Sequence, residues 1–193
     1  MNPRTYLEIL HTAEKLKDAT RHCYTSGGRQ ESVAEHSWRL SLMALLLRGE
    51  FPELNMDRVI RMCLIHDLGE CFTGDIPTFV KTDADREKED SLIDRWVDTL
   101  PESVSVEMRG LYAEMSAMET PEAKLYKALD KLEALVQHNE SDLSTWSENE
   151  YALNRVYAFD AVAFSPWLAA LRQEILKDTL DKIAAGPPGA SLQ

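Results

Sequence analysis

The chain has 193 residues, 44% hydrophobic and 28% charged, an ordinary globular balance that argues against a disordered or a membrane protein. Its formal net charge of −12 disfavours a nucleic-acid polymer as partner, because such binding runs mainly through neutralised phosphates, but leaves room for a small phosphorylated ligand in a local basic pocket. No apolar run approaches the ~20 residues needed to span a bilayer. Met1-Asn2-Pro3-Arg4 lacks the order of a secretory signal, and Cys23, Cys63 and Cys71 suggest no disulfide framework, so a cytoplasmic location is expected.

In chain order the signals are helical. Asn2-Pro3 reads as a cap followed by proline at the first helical position, and Tyr6, Ile9, Leu10, Ala13 and Leu16 recur at helical spacing. Residues 20–31, with Gly27-Gly28, read as a loop. Ser32-Val33-Ala34-Glu35 is a capping-box pattern opening a helix to about residue 48. Asp57 can cap a third helix over 58–71, followed by the loop Thr73-Gly74-Asp75-Ile76-Pro77 and a polar connection over 78–84. Further helices are expected at 85–100, 102–118, from Thr120-Pro121 through 124–137, and at 150–163 and 166–185. The tail from Gly186 to Gln193 has almost nothing to bury and is expected to fray. Neither a repeat nor any β-type alternation is visible, so an all-α single domain over 1–185 is the expected fold.

On a helix, Val59, Ile60, Cys63, Asp67 and Glu70 share one face, with His66 beside them, so an apolar stripe runs directly into an imidazole and two carboxylates. A carboxylate on a buried stripe is costly unless it is paired, hydrogen-bonded or bound to a cation. His36 begins a second stripe with Leu40, Met43 and Leu47. A lone inward histidine is usually a satisfied core residue. Two of them with an aspartate, converging from two helices, offer donors suited to a first-row divalent metal. Cys63 and Cys71 match no structural-zinc spacing and read as packing residues. Asp130 is not singled out by periodicity, since Leu125, Leu129, Leu132 and Val136 define another face of its helix.

Four segments occur in order: Glu31-Ser32-Val33-Ala34-Glu35-His36-Ser37, Ile65-His66-Asp67-Leu68-Gly69-Glu70, Thr73-Gly74-Asp75-Ile76-Pro77 and Ala128-Leu129-Asp130-Lys131. Together they resemble the HD-domain superfamily, and specifically its YfbR-like 5'-deoxynucleotidase branch, over about residues 6–135. The resemblance implies an HD-type helical bundle and one divalent metal ion (Mn, Co, Mg, Ni, Zn or Fe) held by His36, His66, Asp67 and Asp130. It implies a homodimer; Tyr151, Tyr157, Phe159, Phe164 and Trp167 are apolar enough either to pack internally or to lie across such an interface. It further implies that Glu70 handles the proton of the attacking water, that Asp75 takes part in proton transfer to the leaving ribose oxygen, and that Arg21 grips the phosphate. Lys81 resembles a family lysine near the phosphate, and Thr73 and Tyr24 complete the expected substrate contacts. His22 and Tyr24 stand where the family places a tryptophan, a departure at the sugar pocket.

The reaction so implied is hydrolysis of a nucleoside 5'-monophosphate, with 2'-deoxyribose preferred, through Lewis-acid activation and general acid–base help. Two alternatives share the same residues: a phosphodiesterase or nucleoside triphosphate hydrolase, and a nucleotide-binding protein without turnover.

Overall fold

The structure, a computed structural model, describes residues 1–77 and 80–186. Helix α1 (Pro3–Ala13) starts where the Asn2 side chain accepts from the Thr5 amide at 2.8 Å. It buries no residue fully, and Tyr6 and Leu10 of its expected apolar stripe stay exposed.

The segment expected to be a loop is instead a hairpin. Strand β1 (Thr20–Tyr24) pairs antiparallel with β2 (Gln30–Ser32) across a turn in which Gly28 takes positive φ. The inward positions of β1 are Arg21 and Cys23. Because one of them is a cation, the alternation in burial leaves no alternation in hydropathy. Gln137 Nε2 donates to the Tyr24 carbonyl at 2.6 Å and ties the hairpin to the centre of the fold.

Helix α2 (Val33–Leu46) opens on the expected capping box: the Ser32 hydroxyl accepts from the Glu35 amide at 3.2 Å, and Glu35 Oε2 accepts from the Ser32 amide at 3.0 Å. Ser32→Ala is expected to cost about 1 kcal/mol in thermal or denaturant unfolding. Glu35 is also paired with Arg29, whose hydrogen bonds are the main cause holding its carboxyl down at about 2. A depressed carboxylate contributes stability above its unfolded pKa that is lost as pH falls from about 4.5 through about 2. Arg29→Gln should therefore lower stability at pH 6 and lose the difference below pH 2, although exposure of the pair keeps the effect small.

Next come α3 (Met56–Ile65), α4 (Glu70–Thr73), α5 (Asp83–Asp98), α6 (Glu102–Ala117) and α7 (Pro121–Glu140). Helices α8 (Glu148–Val156), α9 (Phe159–Val162) and α10 (Pro166–Ala185) complete the described chain. Asn55 rather than Asp57 caps α3, and Asp57 pairs with Arg48 at 2.7 Å. The helix expected over 150–163 is broken between α8 and α9 at Ala158, a residue with positive φ. The break fits the Arg172 guanidinium, which donates to the carbonyls of Asn154 and Tyr157 at 2.8 Å each and so satisfies the freed helix end. Gly186 caps α10, and the rest of the expected frayed tail lies outside the described residues, as do residues 78 and 79.

The core is a layer of helices around α7. Leu40 and Ala44 of α2, Val59, Met62 and Cys63 of α3, and Leu168 and Ile175 of α10 pack on Leu125, Leu129 and Leu132 of α7. Helices α5 and α6 close a smaller cluster of Ile93, Val97, Leu100 and Met108. Since α7 is covered on several sides, its stripes alternate between apolar packing and the polar centre described next.

Candidate metal centre

The helix expected over 58–71 stops at Ile65, and 66–69 form a tighter turn with i to i+3 hydrogen bonds, Leu68 N to Ile65 O at 3.1 Å and Glu70 N to Asp67 O at 3.0 Å. The cause is local. The Ile65 carbonyl also accepts from the Tyr112 hydroxyl at 2.7 Å, and the Cys63 carbonyl accepts from His66 Nδ1 at 2.9 Å, so side chains take the places that helical amides would use. The turn re-aims His66 and Asp67 away from the apolar stripe of α3 and toward His36 on α2.

His36 Nε2 and His66 Nε2 lie 3.2 Å apart. Asp67 Oδ2 is 2.9 Å from His66 Nε2 and 3.7 Å from His36 Nε2. From α7, Asp130 Oδ1 reaches to 3.2 Å and 3.6 Å of the same two nitrogens. Four donor atoms from three parts of the chain thus crowd one small volume.

The remaining hydrogen bonds assign the tautomers. His66 Nδ1 faces a carbonyl and must carry the proton there, leaving Nε2 a bare lone pair. His36 Nδ1 is hydrogen-bonded to the Glu133 carboxylate, fully buried like His36 itself, which leaves the His36 Nε2 lone pair bare as well. Two bare nitrogens and two carboxylates pointing at one another repel unless a cation stands between them. Protons are one answer: burial opposes charge on His66, yet Asp67 and Asp130 outweigh it and push its pKa up to about 10. A divalent ion is the other, and an ion about 2.1 Å from each donor would space neighbouring donors about 3.0 to 3.4 Å apart, close to the distances observed. The donor set therefore fits a divalent cation.

Around this centre lie the other candidate residues. Glu70 is 5% exposed, and its Oε2 has no hydrogen-bond partner among the described residues. Burial first, then the carboxylates of Asp67, Asp75 and Glu89, push its pKa up to about 9. Gly74 follows α4 with φ of +72°, a turn that a side chain would strain, and it leads into Asp75. Asp75, its pKa raised mainly by burial, lines a cavity of about 220 Å³ together with Arg21, His22, His138, Glu150 and Tyr157. Arg21 is 9% exposed and sits 3.3 Å from Glu31. Burial works against its charge, but Glu133, Cys23, Glu31 and Asp67 hold it firmly protonated.

A larger cavity of about 990 Å³ opens on His66 and Asp67 and is lined by cations (Lys81, Arg86, Arg109, Lys127 and Lys131) and carboxylates (Glu89, Asp90, Asp94 and Asp98) alike. Lys81 is paired with Glu89 at 2.7 Å. Tyr24 and Thr73 line neither cavity. The Tyr24 carbonyl serves Gln137, and the Thr73 hydroxyl donates to the Gly74 carbonyl at 3.1 Å.

Among known protein families, the HD domain family matches residues 13–171. The chain belongs to the HD domain family. It is 33% identical over 141 residues to 5'-deoxynucleotidase HDDC2 of Bos taurus, covering 71% of this chain and 68% of the bovine protein. The Schizosaccharomyces pombe 5'-deoxynucleotidase hdd1 is 28% identical over 168 residues, 76% of this chain and 84% of that one. Among solved structures, that of a predicted metal-dependent phosphohydrolase from Magnetospirillum magnetotacticum MS-1 superposes with a TM-score of 0.76 at 28% identity, covering 95% and 98% of the two chains.

Two parts of this HD centre are not singled out by reading the sequence. Glu133 accepts from His36 and from Arg39 Nε at 2.6 Å, and Arg39 is itself held by Gln137 at 2.6 Å and by Glu140. Lys127 Nζ donates to Asp130 Oδ2 at 2.8 Å, which helps to keep that carboxylate ionised. The signal for Glu133 was present as spacing: Asp130, Glu133 and Gln137 form a polar stripe at i, i+3 and i+7 beside the apolar positions Leu125, Leu129 and Leu132. Glu133→Gln is expected to weaken metal binding by about 10- to 100-fold in a chelator competition while the helical circular dichroism is unchanged.

Proposed function

We propose that this HD protein is a divalent-metal-dependent phosphomonoesterase that hydrolyses the 5'-phosphate of nucleoside 5'-monophosphates, 2'-deoxynucleotides above all, to nucleoside and phosphate. The observation that carries the chemistry is the convergence of His36 Nε2, His66 Nε2 and the carboxylates of Asp67 and Asp130 beside the buried Glu70. The named activity of the bovine and fission-yeast relatives supports the substrate class.

His36, His66, Asp67 and Asp130 would hold the ion. When bound, a divalent ion there supplies Lewis acidity toward a phosphate oxygen and makes a ligating water more acidic. The rest falls to side chains. Arg21, charged and buried, binds phosphate oxygens through its planar fork and limits the approach of the ester. Glu70 takes the proton of the attacking water. Asp75, also shifted toward its protonated form, gives a proton to the departing 5'-oxygen as the phosphorus–oxygen bond breaks.

A screen of deoxy- and ribonucleoside monophosphates with added Mn²⁺ or Co²⁺ tests the proposal. Inorganic phosphate from monophosphates is the expected product; release of pyrophosphate or of a nucleotide from other substrates would instead identify a triphosphate hydrolase or phosphodiesterase. Arg21→Ala should raise KM at least about tenfold, the loss of one charged hydrogen-bonding group, and an unchanged KM would remove Arg21 from the site.

We further propose a homodimer, supported by the exposed Trp38, Leu45 and Leu46 on α2 and by the partly exposed Phe164 and Trp167. A cytoplasmic location is supported by three buried cysteines that form no disulfide. Among the described residues no helix is long and apolar enough to cross a membrane.

A further inference from the structure

We propose that the chain holds a second divalent-cation site, separate from the HD centre, formed by His22 Nε2 on β1, His138 Nε2 on α7 and Glu150 Oε1 on α8. The three atoms form a triangle with sides of 3.0 Å (His22 to Glu150), 3.3 Å (His22 to His138) and 3.5 Å (His138 to Glu150). These are the spacings that an ion about 2.1 Å from each atom imposes, about 3.0 to 3.4 Å, and they match the donor spacing of the HD centre.

Hydrogen bonding explains the triangle less well. With a proton on each Nε2, two N–H groups meet head to head. With one proton removed, a bare nitrogen faces the carboxylate. A cation makes all three contacts attractive. The cluster is well buried, with His138 6% and Glu150 3% exposed, and Trp146 packs edge-on against the His138 ring.

Two histidines and a glutamate suit zinc or a similar borderline ion, and three protein ligands leave a coordination position open. All three residues line the 220 Å³ cavity, where the buried Nδ2 of Asn154 also lacks a partner among the described residues. An oxygen of a molecule entering that cavity would complete the coordination.

Full-length protein stripped with chelator and reloaded with Zn²⁺, or with Co²⁺ followed by its visible absorption, provides the test. Wild type should bind two equivalents, and Glu150→Gln and His138→Gln one each. Gln at 150 preserves the capping box that Ser147 makes at the start of α8. Asp67→Ala should lose the HD-centre ion and keep the other, so failure at either site is seen separately. If the buried His138 variant does not fold, His22→Asn gives the same reading from the half-buried strand position. One equivalent in wild type that Asp67→Ala abolishes overturns the second site, and so do two equivalents that persist in Glu150→Gln and His22→Asn.

Discussion

Asp67→Ala is expected to release the HD-centre ion and to reduce phosphate release at least about a thousandfold, with the helical fold intact. The size follows from what is removed together. Asp67 lies 2.9 Å from His66 Nε2 and 3.7 Å from His36 Nε2, so it supplies both a donor oxygen and much of the negative charge that makes the cluster attract a cation. Despite its burial, its carboxyl stays down at about 2 through the charge and hydrogen bond of His66 and the charge of His36, so it is ionised at any pH where the enzyme would work. Without it the Lewis acid is lost, and with it the activation of water, an effect in the upper part of the 10²- to 10⁴-fold range usual for one general base or beyond it. The fold should survive because the core around α7 is built from Leu40, Val59, Leu125, Leu129 and Leu132, none of which Asp67 supports. Metal content, circular dichroism and phosphate release, measured on one preparation, decide it. A variant that keeps wild-type turnover would remove Asp67 from the centre.

Glu70→Gln should behave differently: metal retained, KM little changed and kcat reduced by about 10²- to 10⁴-fold. The Gln side chain has nearly the same shape, so the buried pocket around position 70 stays filled. What disappears is the ability to accept a proton. Glu70 stands apart from the converging donors, and its Oε2 is buried with no protein partner among the described residues, the state expected of a group kept for a ligand or water. The same substitution removes a group whose ionised form is disfavoured by burial and then by Asp67, Asp75 and Glu89, so the variant should be at least as stable as wild type in thermal unfolding. Loss of metal together with turnover would instead make Glu70 part of the ligand set.

Much of this centre was legible in the residues themselves. His36 and His66-Asp67 stand out because they interrupt apolar stripes, and a polar group on a stripe that must be buried demands a partner. The capping signals at Asn2, Ser32 and Thr120 are equally local, since each depends on one side chain reaching an amide two or three residues on. Three other features depend on remote chain. The helix expected through 58–71 stops at Ile65 because Tyr112, 47 residues away, takes its carbonyl. The β1–β2 hairpin carries Arg21 inward, where its charge is tolerated only because Glu31 and Glu133 lie nearby. Asp130 looked misplaced on a single-faced helix, and α7 proves to be covered on several sides, so one helix serves both the core and the metal centre.

By itself, then, the sequence determined that the protein is helical, where most helices start, and that imidazoles and carboxylates must meet in its interior. These follow from short-range hydrogen bonding and from the cost of burying polar groups, which act on neighbours along the chain. Only the tertiary structure decided that Glu133 orients His36, that Lys127 neutralises Asp130, and that His22, His138 and Glu150 converge. Those groups come from elements up to 128 residues apart (His22 to Glu150), and packing alone sets which of their charges come within a few ångströms.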